Sequence, residues 1–197
     1  MKIFKLCYDY AEDPNIKNLP IKVVIDESSL GFDRYDADRG KVFTEWNDKI
    51  VATYEYEEGR PITDYVSNVL GWFMVTERFK DLLIDLNIEG LQFHPITLKC
   101  SNMDREDIVV YLANILTLVD EAAIDLERSK YSIWELEEYG IRMLSVKRYC
   151  LKSSFIQGHD IFRPSHSVSA IFSSERLKKA VEENGITGCN FREIEVV

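Results

Sequence analysis

The sequence predicts an α+β (mixed α/β) fold, in which a sheet packs against helices and contains a strand-helix-strand unit twice, at about 72–96 and 168–194. One observation is an ungapped match between these two segments. The other is that each segment runs from a short apolar stretch through a helical apolar period into a second stretch of strand length. A chain of 197 residues with 46% hydrophobic content can bury one substantial core, so we expect a single domain over 1–197.

The N-terminal part, 1–60, is predicted to be β-rich. Residues 2–8 and 21–25 are apolar runs of strand length, and residues 49–57 alternate in part before a turn at Gly59. The segment 31–41 is polar, has no period and is bordered by glycines, so we expect a mobile loop or a linker there.

The two matching segments align at an offset of 98 residues, with Thr76 over Ser174. Identical pairs are Glu77/Glu175, Arg78/Arg176, Lys80/Lys178, Ile88/Ile186, Gly90/Gly188, Phe93/Phe191 and Ile96/Ile194. The Thr76 and Ser174 hydroxyls are predicted to cap helices, and Asn87 and Gly185 to follow their ends in a left-handed conformation. The repeated Glu-Arg pairs are interpreted as structural charges of the first helical turn, in preference to a functional dyad.

The chain between the two copies is less clearly patterned. Residues 107–118 are apolar and fit either a buried strand or a core helix. A turn is expected at 129–132, followed by one long strand or two short ones over 141–151.

Charge, hydropathy and cysteine spacing disfavour several classes of protein. The 24 basic and 34 acidic residues give a net charge of −10, which disfavours nucleic acid and anionic membranes as partners and favours a basic protein, although acidity also serves solubility alone. No stretch has the length of a membrane span and no signal peptide is evident, so a cytoplasmic location is expected. The four cysteines are widely spaced, which predicts neither a zinc site nor a disulfide framework.

No arrangement of residues indicates catalysis, a metal or a cofactor. Cys150, His159 and Asp160 form a weak candidate triad, and His159 with His166 lacks a third metal ligand at a recognisable spacing. His94 corresponds to Arg192 in the second copy, so we expect it at the surface. A small hydrolase that uses Cys150 or His159 and His166 stays open as an alternative.

Several motifs occur in an order that is typical of one family. They are Leu-Gly-Trp-Phe-Met-Val-Thr-Glu-Arg-Phe-Lys-Asp-Leu-Leu at 70–83, Phe-His-Pro-Ile at 93–96, and further segments at 111–120, 124–129, 161–163 and 171–180. Over 65–194 the chain resembles immunity family eleven of bacterial polymorphic toxin systems, formerly a domain family of unknown function. The resemblance implies a small cytoplasmic protein that binds a cognate toxin domain and blocks it by occlusion. No catalytic residue or cofactor comes with this family.

The candidate partner-binding residues are acidic and aromatic and lie outside the repeated units. They are Asp120, Glu121, Asp125, Glu127, Glu135, Glu137 and Glu138, with Tyr131 and Trp134 as aromatic anchors. Acidic side chains would attract a basic toxin surface, and buried aromatics would supply affinity, although Trp134 fits the core equally well. A binding module without any toxin is a further alternative. The sequence does not indicate the oligomeric state.

Overall fold

The computed structural model describes residues 1–9, 22–136, 141–165 and 170–197. Within these ranges the chain forms fourteen strands, two α-helices and three single-turn 3-10 helices. The strands are β1 (Ile3–Tyr8), β2 (Val24–Ile25), β3 (Val51–Tyr54), β4 (Tyr65–Val66), β5 (Met74–Thr76), β6 (Leu91–Cys100), β7 (Ile108–Ile115), β8 (Leu118–Val119), β9 (Lys130–Leu136), β10 (Ile141–Arg148), β11 (Cys150–Leu151), β12 (Ile161–Pro164), β13 (Ile171–Ser174) and β14 (Cys189–Val196); the helices are α1 (Glu77–Asp85) and α2 (Glu175–Glu183). Sheets packed with two short helices confirm the predicted α+β class.

The strands are arranged in two six-stranded sheets and one two-stranded ribbon. The first sheet has the order β2-β3-β6-β7-β5-β4, and the second has the order β11-β14-β1-β13-β12-β8. The ribbon consists of β9 and β10, which pair antiparallel. The open choice at 107–118 is therefore settled as a strand, β7, and the choice at 141–151 as the two strands β10 and β11.

Five neighbouring strands of one sheet correspond to five of the other. In the first sheet, β5 and β6 precede and follow α1, and both pair antiparallel with the central strand β7. In the second sheet, β13 and β14 precede and follow α2, and both pair antiparallel with the central strand β1. β4 pairs antiparallel with β5, as β12 does with β13. β3 pairs parallel with β6, as β11 does with β14. The register also agrees, because Ile96 pairs with Val110 where Ile194 pairs with Ile3. The equivalent unit is thus a five-stranded sheet with one helix, which is larger than the match in sequence.

Both helices begin after the predicted hydroxyl residue, but only one hydroxyl caps its helix. The amide of Leu177 donates to Ser174 Oγ at 3.2 Å. Thr76 makes no capping bond, and its hydroxyl donates to Asp64 Oδ1 at 2.8 Å. The capping prediction is therefore right for Ser174 and wrong for Thr76, whose β-branched side chain has fewer rotamers with which to reach both partners.

Asn87 and Gly185 adopt the left-handed conformation that was expected of them, with φ of 51° and 60°. They lie at equivalent points, just past α1 and α2. An asparagine tolerates this region through local hydrogen bonds, and a glycine does so because it has no Cβ.

Arg78 and Arg176 cross-link the two units in a reciprocal way. Arg78 pairs with Asp64 at 3.1 Å and donates to the carbonyl of Asn184 at the end of α2. Arg176 pairs with Asp160 at 2.5 Å and donates to the carbonyl of Leu86, at the end of α1, at 3.0 Å. Each cation therefore meets the negative end of the other unit's helix dipole, which supports the structural interpretation of these arginines.

The apolar core has three parts. The central part joins both helices to one face of each sheet, with Phe79 and Leu83 from α1 and Leu177 and Val181 from α2. The opposite face of the first sheet is covered by apolar side chains from 23–56, and that of the second sheet by side chains from the 119–156 region. Each sheet is thus apolar on both faces.

The segment 31–41 is irregular, as expected, but it is packed into the structure and is not a linker. Ala37 and Asp38 are buried, and Asp38 pairs with the buried Arg163 of β12 at 3.2 Å. This contact joins the cover of the first sheet to the second sheet. Its partners are far apart in the sequence, so local composition gave no sign of it.

Candidate partner-binding surface

The acidic residues at 120–127 meet in one surface hollow. Asp120, Glu121, Asp125 and Glu127 line a space of about 670 Å³, together with the cation of Lys152. Lys152 Nζ donates to the carbonyl of Ala122 at 3.1 Å, so this one cation is held against the backbone. The hollow therefore presents mostly negative charge.

The backbone around this hollow is fixed to the second sheet. The amide of Asp125 donates to the carbonyl of Cys150, and the amide of Lys152 donates to the carbonyl of Ala123. Two carboxylates also close local turns, since Asp120 Oδ1 accepts from the amide of Ala122 at 2.7 Å and Asp125 Oδ1 from the amide of Glu127 at 3.0 Å. The acidic side chains are thus carried on a pinned backbone, which lowers the entropy cost of binding a partner.

The aromatic candidates lie on the ribbon that begins directly after this segment. Trp134 is 62% exposed and Tyr131 is 41% exposed, and the neighbouring Ile133 is 40% exposed. Trp134 is therefore a surface residue and not part of the core. The turn expected at 129–132 is wrong, because β9 begins at Lys130 and continues through these residues. Its alternation and aromatic content favour a strand once β10 is there to pair with it.

The nine predicted interface residues do not all meet on one surface. Alternation along β9 places Tyr131 and Trp134 on opposite faces of the ribbon. Glu135 is exposed on β9, where the register sets it opposite Arg142. Glu137 and Glu138 lie outside the described residues. The structure thus brings four acids together and places the aromatic side chains on a neighbouring element.

Among the described residues, Cys150 and His159 of the alternative catalytic hypothesis do not lie in one site. Cys150 is fully buried in β11, and burial raises the pKa of its thiol, which disfavours the thiolate. His159 and Asp160 line a different hollow, of about 510 Å³, and Asp160 is already bonded to Ser174 and Arg176. His166 lies outside the described residues. Within those residues there is no group of three or more His, Cys, Asp or Glu side chains placed to hold a metal ion.

His94 is buried, with 8% of its surface exposed, so the expected surface position is wrong. The segment 41–47 covers it: Trp46 stacks on its ring at a centroid distance of 4.5 Å, and Phe43 meets it edge-on at 5.3 Å. Burial lowers the pKa of His94. The equivalent Arg192 is exposed, and no described segment covers it in this way, which is why the comparison of the two copies is misleading.

Comparison with known proteins adds a family. Neither of the two helices in the described ranges is long and apolar enough to span a membrane. A search of curated proteins gives no significant match. Residues 9–196 match the Immunity protein family (Imm11), and this match includes most of the N-terminal part, beyond the 65–194 region of the sequence resemblance. Because the match covers nearly the whole chain, the protein belongs to the Imm11 family of immunity proteins.

Proposed function

We propose that this protein binds a cognate toxin domain and neutralises it by occlusion, without catalysis, in the cytoplasm of the producing cell. Family membership is the observation that supports this most strongly. The burial of Cys150 and the separate position of His159 agree with a non-catalytic role. The net charge of −10 favours a toxin with a basic surface over nucleic acid or an anionic membrane.

We place the interface on the acidic hollow and the adjoining ribbon. The four carboxylates of the hollow would speed association with a basic surface and orient the toxin. Exposed Trp134 and Tyr131 have the size and amphipathic character of interface anchors. Because they lie on opposite faces of the ribbon, we expect the toxin to contact one of them together with the hollow. On this placement, Glu135 extends the negative charge onto the ribbon, and Glu137 and Glu138, outside the described residues, remain candidates from the sequence.

The function is tested by co-expression with the toxin candidate encoded beside this gene. We expect that protein to arrest growth when produced alone and to be harmless in the presence of this chain, and the purified pair to form a stable complex. A variant of this chain that still forms the complex but no longer protects the cell would contradict occlusion. Protection at amounts far below one copy per toxin would indicate catalysis.

The placement of the interface is tested by removing the charge of the hollow. We expect the combined variant D120N/E121Q/D125N/E127Q to slow association by about tenfold at low salt, because the amides keep the turns but remove the steering charge. The matched control E55Q/E58Q/D104N/E106Q removes the same number of exposed acids elsewhere. Surface plasmon resonance measures both rates, and equal association rates for the two variants would refute this placement.

A further inference from the structure

A third hollow, the recess, is formed by the segments that cover the first sheet beside His94, and it shares no lining residue with the acidic hollow. It has a volume of about 420 Å³ and is lined by 30–32 and 41–47. Phe32, Phe43 and Trp46 form its aromatic part, with ring centroids 4.8 Å apart for Phe32 and Phe43 and 5.3 Å apart for Phe32 and Trp46. An open hollow with three aromatic rings in its wall is a feature that a solvated loop would not be expected to form.

Hydrogen bonds from the sheet beneath fix the shape of the recess. The indole Nε1 of Trp46 donates to the carbonyl of Pro95 at 2.9 Å, and the amide of Phe43 donates to Gln92 Oε1 at 3.1 Å. Asn114 Nδ2 donates to the carbonyl of Lys41 at 2.8 Å. The 41–47 segment is therefore held by β6 and β7 at three points, and the recess is formed before any ligand arrives.

The second unit shows that the fold itself does not require these polar groups. The residues equivalent to His94 and Pro95 are Arg192 and Glu193, both exposed, and the register sets Cys7 where the first unit has Asn114. In the first unit His94 Nε2 and Asn114 Oδ1 are buried without a hydrogen-bond partner among the described residues, each at a cost of about 1–3 kcal/mol. The first unit thus has two destabilising buried polar groups that the second unit lacks. These residues lie beneath the 41–47 segment, which lines the recess.

The charges around the recess select a cation. Lys41 and Glu45 are the charged side chains in its wall, and Lys41 is paired with Asp36 at 2.5 Å. Glu45 is exposed and forms no ion pair within the described part of the chain. His94, which stacks on the far side of Trp46, adds no repulsion at neutral pH because burial favours its uncharged form.

We propose that this recess binds an arginine side chain of a protein partner, with the guanidinium on the parts of the Phe32 and Trp46 rings that line the hollow and paired with Glu45. A planar guanidinium suits this site better than an ammonium, because it stacks on aromatic faces and is more weakly hydrated. The identity of the partner as the basic toxin rests on the proposed function, whereas the chemistry of the site does not.

The site is tested on the whole chain by following the three tryptophan indole N–H signals in NMR spectra. Titration with N-acetyl-arginine methylamide is expected to shift the Trp46 signal, while the uncharged N-acetyl-citrulline methylamide leaves it in place. Trp134 on the ribbon, which is exposed and outside the recess, serves as the reference for non-specific binding of the probe. In E45Q the apparent affinity for the arginine probe should fall about fivefold, as expected for one exposed charge pair, whereas E55Q should not change it.

Equal shifts with the two probes, or no shift of Trp46, would overturn the proposal. A Trp46 signal that moves with protein concentration alone would also overturn it, because the occupant would then be a second copy of this chain. Since the probes require no toxin, their failure is separate from failure of the proposed function. With the toxin available, E45Q is expected to weaken the complex about fivefold relative to E55Q, and equal affinities would remove the toxin as the occupant.

Discussion

Asp38 and Asp160 are two aspartates that the fold holds in opposite electrostatic settings. Asp160 accepts hydrogen bonds from Arg176 and Ser174, and these bonds lower its pKa. Asp38 lies in the interior beside Arg163, and burial raises its pKa to about 6 although the guanidinium opposes that shift. Neither setting is visible in the sequence, because the partners are brought together only by the packing of distant segments.

The raised pKa of Asp38 predicts a particular pH dependence of stability. In the unfolded chain this carboxyl titrates near 3.8, so between pH 4 and pH 6 the folded state binds more protons than the unfolded state. The contribution of Asp38 is therefore largest below pH 4 and is lost as the pH rises to about 6, by up to about 3 kcal/mol. D38N keeps an oxygen for Arg163 but cannot titrate, so its free energy of unfolding is expected to lack this pH-dependent contribution.

Urea denaturation of the wild type and D38N at pH 4, 5, 6 and 7 measures the effect. The difference between their free energies of unfolding is expected to change in favour of D38N between pH 4 and pH 6 and to level off by pH 7. Parallel curves for the two proteins would show that Asp38 ionises normally in the folded state.

Trp134 is a large aromatic residue with most of its surface exposed. An indole that is 62% exposed contributes little to folding, so W134A should change the free energy of unfolding by less than about 0.5 kcal/mol. If it anchors the toxin, the same substitution should weaken the complex by about 30-fold or more. F155A removes another exposed aromatic side chain and serves as the control; calorimetric titration in which the two variants bind equally well would exclude Trp134 as an anchor.

At the scale of elements, the sequence predicts what local interactions decide. The helical period and the polar residues at the ends place α1 and α2 correctly, because a helix satisfies its backbone internally. The errors fall on strands. β9 was expected as a turn and β7 was undecided, since the strand state of each depends on a neighbour that is distant or separated by a turn. The four clustered acids were also predictable as a candidate set, whereas the aromatic recess was not, because its parts come from 30–47 and β6.

The two helix starts differ in a way that stability measurements can detect. Ser174 Oγ both accepts from the amide of Leu177 and donates to Asp160, while the Thr76 hydroxyl only donates to Asp64. S174A therefore removes a cap as well as a bond to aspartate, and should cost about 1 kcal/mol more than T76A. Thermal and urea denaturation of both variants provide the comparison. A larger loss for T76A would mean that capping is not what distinguishes the two sites.

At the scale of the whole molecule, the two units are built in different chain orders. The first takes its central strand, β7, from the segment that directly follows β6, whereas the second takes β1 from the opposite part of the chain. Sequence comparison could find only the strand-helix-strand segment that both share. The central strands show no match at the offset of the repeat because they occupy different places in the order.

The position of β1 between β13 and β14 predicts which strands unfold together. β1 pairs with β14 through six residues and with β13 through four, and its side chains enter two apolar clusters. We expect the amides of β1, β13 and β14 to exchange with deuterium as one cooperative group, despite the distance between them in sequence. Hydrogen exchange followed by mass spectrometry resolves these peptides. Faster exchange of β1 alone would indicate that the second sheet persists without it.

The pairing of β1 with β13 and β14 also determines when the second sheet can form during synthesis. The five equivalent strands of the first sheet have all been made once residue 115 leaves the ribosome, and its hairpins and helix crossover join nearby segments. The strand formed by residues 3–8 is made first of all, but its two neighbours in the sheet are among the last strands to be translated. It must remain unpaired while nearly the whole chain is produced. The second sheet therefore cannot form before residues 171–196 have been made, and any activity that depends on this sheet begins only then.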